Sequence, residues 1–122
     1  METKFNFNSQ ICTDRNQSER LLALGLKKET ADMCWIEEWG WNDEKREIFC
    51  TGNYFVRPID YVWDDNYINH IPAWSLHRLI EMVAHTQYPY YVISKELPIY
   101  DALCERIEWL INEGYFNKEY LE

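Results

Sequence analysis

Three side chains on one stretch could act together on a cation. His77, Glu81 and His85 recur every four residues, so a helix that reaches His85 aligns two imidazoles and a carboxylate along one side. Donors of that kind suit a divalent ion. A solvent-facing stripe has the same spacing, and the apolar Leu76, Leu79, Ile80 and Val83 occupy the adjacent face. The H-E-x-x-H pattern is absent and no fourth ligand is evident. A Cys–His nucleophile pair needs a positioned base. Four cysteines and three histidines supply the residue types without a recognisable elbow or loop. The paired acids Glu37-Glu38 and Asp64-Asp65 do not converge, because neighbours on a strand point to opposite faces. Phosphate-cradling and dinucleotide-binding glycine patterns are also absent. No catalytic residue and no cofactor is assigned.

The aromatic residues carry more weight. Trp, Tyr and Phe number six, nine and five, and many of them crowd the stretch from Trp35 to Trp74. Rings are buried in a core, a pocket or a partner. On alternating strands some must face outward unless both sides of the sheet are covered. Trp35, Trp39, Trp41, Tyr54, Tyr61, Trp63 and Tyr67 are therefore the candidate binding residues, since Trp and Tyr dominate protein interfaces. A bulky core is the plainer use of the same rings, and a platform for stacking sugars or bases is a third.

The elements that would position these residues follow from local signals. A helix is expected over 15–24, with Thr13 or Asp14 as N-cap and Gly25 as its stop. Its buried stripe runs through Ser18, Leu21 and Leu22. A helical turn follows over 30–33. Residues 33–41 pair with 46–51 as a hairpin, the turn chemistry lying in Asn42-Asp43-Glu44-Lys45. Gly52-Asn53 ends that strand. Further extended pieces are expected at 54–57, 59–63 and 67–71, with Pro58 at an edge or bulge. Ser75 caps a helix to His85, and 90–93 is β-branched and aromatic. Pro98 opens the best-patterned helix, which stops before Gly114 with Ile99, Leu103, Ile107, Leu110 and Ile111 on one face. Trp74 and Trp109 read as core anchors, Tyr115 and Phe116 fold back on the last helix, and Asn117 caps a final turn. The expected fold is a single α+β domain over 1–122, a small antiparallel sheet of about three to five strands with about three helices.

Charge and cysteines narrow the surroundings. The net charge is −9, and the segment after Arg46 holds most of the imbalance. Such a field repels phosphate backbones, so nucleic acid is not an expected partner. Neither a secretory leader nor a membrane-length apolar run is evident, and the cytoplasm is the expected compartment. Cys12, Cys34, Cys50 and Cys104 are far apart, and read as free, mostly buried thiols rather than a zinc site or disulfide frame.

Three stretches carry a resemblance. They are Gln17-Ser18-Glu19-Arg20-Leu21-Leu22-Ala23-Leu24-Gly25-Leu26 with Thr30-Ala31-Asp32-Met33; Pro72-Ala73-Trp74-Ser75-Leu76 with Leu79; and Ile107-Glu108-Trp109-Leu110-Ile111 with Gly114-Tyr115. In that order the chain resembles a group of small uncharacterised proteins encoded by phages and integrative elements of gut bacteria. The resemblance implies a genomic context and carries no functional residue. Taken together, the expectation is an accessory protein that binds an unidentified protein or a second copy of itself. The competing classes are an enzyme with an aromatic-lined pocket and a carbohydrate- or nucleotide-binding module.

Overall fold

The computed structural model describes residues 10–58, 70–86 and 96–122. Helix α1 (Arg15–Ala23) is followed by a 3-10 turn (Lys28–Thr30), strands β1 (Met33–Asn42), β2 (Glu47–Pro58) and β3 (His70–Ala73), and helices α2 (Leu76–Ala84) and α3 (Ile99–Asn112). A last 3-10 turn spans Lys118–Tyr120. The three strands form an antiparallel sheet in the order β2-β1-β3, so the described residues make an α+β fold with a three-stranded sheet and three α-helices. The expected strands over 59–63 and 90–93 lie outside the described residues, as do 67–69 of the piece expected over 67–71, whose last two residues open β3.

Both well-patterned helices are closed by local chemistry. Asp14 Oδ1 accepts from the Gln17 N–H at 2.7 Å, while Gln17 Oε1 accepts from the Asp14 N–H at 3.0 Å, a reciprocal cap on α1. At the other end the Gly25 N–H reaches the Leu22 carbonyl and the Leu26 N–H reaches that of Leu21. Gly25 sits at φ +101°, a conformation that side chains resist. The same pair of bonds closes α3, from Gly114 to Ile111 and from Tyr115 to Leu110. Asn117 caps the last turn by accepting from the Glu119 N–H.

The main core lies between the helices. Leu21 of α1, Leu79 and Met82 of α2, and Leu103, Ile107 and Leu110 of α3 meet around Trp74, which is fully buried. Phe116 folds back into it as expected. The chain end is tied down by the Lys27 N–H on the Tyr120 carbonyl and the Glu122 N–H on that of Gly25. Gln17 Nε2 donates to Asp101 and Arg20 pairs with Glu108, joining α1 to α3.

Several expectations are corrected. The helical turn ends at Thr30 rather than starting there, and Met33 already belongs to β1. The pieces expected at 46–51 and 54–57 merge into one strand from Glu47 to Pro58, with Arg46 left in the turn, since Gly52 is a bulge and not a stop. On α2 Met82 is buried where Ile80 is exposed. On α3 Ile99 is exposed while Tyr100 is buried, and Cys104 is buried as expected. Trp109 is no core anchor. It is 38% exposed, with the Arg106 guanidinium 4.5 Å from its ring centre and Tyr115 at 5.8 Å.

Candidate aromatic contact surface

The sheet pairing sorts the candidate rings. Directly opposed residues share a face, so Trp35, Glu37, Trp39 and Trp41 of β1 lie on one side with Ile48, Cys50, Tyr54 and Val56 of β2. Four of the seven candidates, Trp35, Trp39, Trp41 and Tyr54, therefore fall on a single face. Tyr61, Trp63 and Tyr67 lie outside the described residues.

Those four do not share one environment. Near the helices Trp35 is half-buried, and its Nε1 donates to the Thr13 carbonyl at 2.8 Å. Tyr54 is half-buried beneath the Arg15 guanidinium, 4.2 Å from its ring centre, a cation–π contact. Both tie the sheet to the start of α1. Further out, Trp39 is 50% and Trp41 is 53% exposed, and Ile48 beside them is 50% exposed. On the opposite face Phe49 lies over Gly40, so close that a Cβ at Gly40 would stand 2.5 Å from its ring. Phe49 is itself 47% exposed, and Phe55 is exposed further along that face. The distal hairpin is thus apolar on both sides and outside the main core.

A bulge separates the two zones. Thr51, Gly52 and Asn53 stand opposite Glu38 alone, between the pairs Glu37–Tyr54 and Trp39–Cys50. Gly52 has φ +84°, its N–H donates to Glu37 Oε2, and the Thr51 hydroxyl donates to the Glu38 carbonyl. Two extra residues leave the alternation of faces unchanged across the bulge. The turn at the tip is held by Asn42 Oδ1, which accepts from the Glu44 and Lys45 N–H groups.

The other candidates are dispersed. His77 Nε2 lies 3.2 Å from Glu81 Oε1, and Arg78 Nε lies 3.5 Å from the same oxygen. His85 sits past the last helical residue as the C-cap, so the stripe stops at two members. Among the described residues no group of three or more His, Cys, Asp or Glu side chains could hold a metal ion. Glu37 and Glu38 sit on the bulged stretch, and Asp64 and Asp65 lie outside the described residues. A surface depression of about 360 Å³ is lined by Glu29, Thr30, Arg78, Glu81, Met82 and Tyr120. A second, of about 340 Å³, lies against Asp14, Arg15, Asn16 and Glu19. Neither contains an aromatic residue of the hairpin.

The thiols differ sharply. Burial pushes the Cys12 and Cys34 thiols up to about 11, with Asp32 and Asp14 adding to the shift at Cys12. Burial pushes Cys104 up to about 12. Cys50 is exposed on the hairpin. Its thiol is also raised, first by desolvation and then by the neighbouring Glu37 carboxylate. In the folded protein a disulfide reagent such as DTNB should therefore titrate one thiol, Cys50, and all four after denaturation. A second fast-reacting thiol in the native protein would contradict the buried placement of the other three.

No helix among the described residues is long and apolar enough to cross a membrane. The fold and surface define a small α+β domain bearing an exposed aromatic hairpin. Compared with protein-family models, curated proteins and solved structures, the chain matches none.

Trp39 and Trp41 are among the residues the sequence proposes for contact, and as i and i+2 on a strand they share a face. Phe49 and Phe55 belong to the same surplus of rings but are not among the candidates, and Ile48 is not singled out. No signal in the spacing marks them, because their exposure depends on what packs over each face of the hairpin.

Proposed function

We propose that this protein acts by contact, binding another protein or itself through the exposed end of the β1–β2 hairpin. The observation that carries this reading is the half-exposure of both Trp39 and Trp41 on one face, with the core around Trp74 complete without them. Exposed tryptophans beside an apolar neighbour such as Ile48 are the composition of interface hot spots. The overall negative charge supports a protein partner over nucleic acid. With the resemblance noted above, the role proposed is that of a phage or mobile-element accessory protein working in the cytoplasm.

The double variant Trp39→Ser/Trp41→Ser separates contact from packing. Its urea unfolding free energy should stay within about 1 kcal/mol of wild type, as for surface positions. The complex that the wild-type chain forms in its host, recovered by affinity capture, should be lost. A destabilisation beyond about 3 kcal/mol would assign both rings to a core and end the contact reading.

A further inference from the structure

Strand β2 is the outer strand of the described sheet, and every residue of it except Tyr54 and Val56 is exposed. Its outward N–H and C=O groups are a template for another strand. Counted outward from Gly52, the sequence nearly mirrors itself in residue class. Cys50 answers Tyr54, Phe49 answers Phe55, Ile48 answers Val56, and Glu47 answers Arg57. Among the described residues neither Glu47 nor Arg57 makes an ion pair within the chain.

We infer that β2 pairs antiparallel with β2 of a second copy of this chain, about a two-fold axis through Gly52, an inference that rests on the contact reading above. A residue-centred axis opposes residues of equal parity, so an outward N–H meets an outward C=O. Faces also agree. Ile48 meets Val56 on the tryptophan side and Phe49 meets Phe55 on the other, aromatic and β-branched pairs that stabilise sheets. Glu47 meets Arg57 at both ends, and this charge match selects a second copy over an arbitrary strand. The bulge spans Thr51 to Asn53 symmetrically about Gly52, so bulge meets bulge and register holds on either side. A Cβ at Gly52 would have nothing within 4 Å, which leaves room at the axis. Slipping by one residue would send every side chain to the wrong face. The axis is perpendicular to the sheet, so Trp39 and Trp41 of both copies lie on one face of a continuous six-stranded sheet.

Sedimentation equilibrium of the full chain, from micromolar to millimolar concentration, should show a reversible dimer. Glu47→Arg or Arg57→Glu alone should weaken it about tenfold by opposing like charges. The combined variant E47R/R57E, which restores the pair in reverse, should recover wild-type affinity. Spin labels on Cys50 should couple between copies at about 15 Å, since four residues along the strand separate the two sites. A dimer indifferent to charge reversal, or labels showing no coupling, would overturn the β2 pairing. A chain monomeric throughout would overturn self-association and leave the strand edge to a different protein. The stability of the Trp39→Ser/Trp41→Ser variant is read at concentrations where both chains are monomeric, so the contact reading fails or stands separately.

Discussion

Replacing Trp74 with alanine should lower the free energy of unfolding by about 3–5 kcal/mol. The indole is fully buried where the three helices meet the end of β3, and deleting it removes transfer energy while leaving a cavity that α2 and α3 cannot fill without moving. Its Nε1 also donates to the Thr30 hydroxyl at 2.9 Å. That hydroxyl donates in turn to the Lys27 carbonyl, so the ring holds the turn between α1 and β1. Typical domains have only about 5–15 kcal/mol of stability, and the variant should be marginal at room temperature. Trp109→Ala is the control. Its ring is flanked by Arg106 and Tyr115 but open to solvent, so the loss should stay below about 2 kcal/mol. Urea denaturation of both variants measures the contrast, and a larger loss at Trp109 would reverse this account of the core.

Sequence alone distinguishes these two tryptophans poorly, and the reason is physical. Features set within a turn or two of chain are legible: the α1 cap to within Thr13 or Asp14, the glycine closures of α1 and α3, the Ser75 and Asn117 caps, and the Leu103–Ile107–Leu110 stripe. Features set by what packs from elsewhere are not. In a helix as short as α2, rotating the buried arc by one residue position exchanges Ile80 for Met82, and the direction of α3 decides it. Gly52 has a positive φ, which serves a turn and a bulge equally well, so only the pairing with β1 distinguishes the two. The aromatic surface divides in the same way. That Trp35, Trp39 and Trp41 share a face follows from strand alternation. That Trp35 is anchored on the Thr13 carbonyl while Trp39 and Trp41 are open depends on α1 reaching only the near end of the sheet.

Thr13→Val should cost about 2–6 kcal/mol, although it exchanges side chains of nearly equal shape. Thr13 is fully buried, and its hydroxyl accepts from the Trp74 N–H at 3.0 Å while lying 2.7 Å from the Ser18 hydroxyl. Its main chain exchanges a further bond with Trp74 and receives the Trp35 indole N–H. One residue thus fastens the start of α1 to both β1 and the exit of β3. Valine keeps the volume and the main-chain bonds but strands a buried N–H and a buried hydroxyl, each costing about 1–3 kcal/mol when unpaired. Thr13→Ser keeps the hydroxyl and loses one methyl, so about 1 kcal/mol is expected. Adding Ser18→Ala to Thr13→Val removes one of the stranded groups and should recover about 1 kcal/mol. Equal losses for the valine and serine variants in urea unfolding would mean that shape, and not the shared hydroxyl, holds the sheet to the helices.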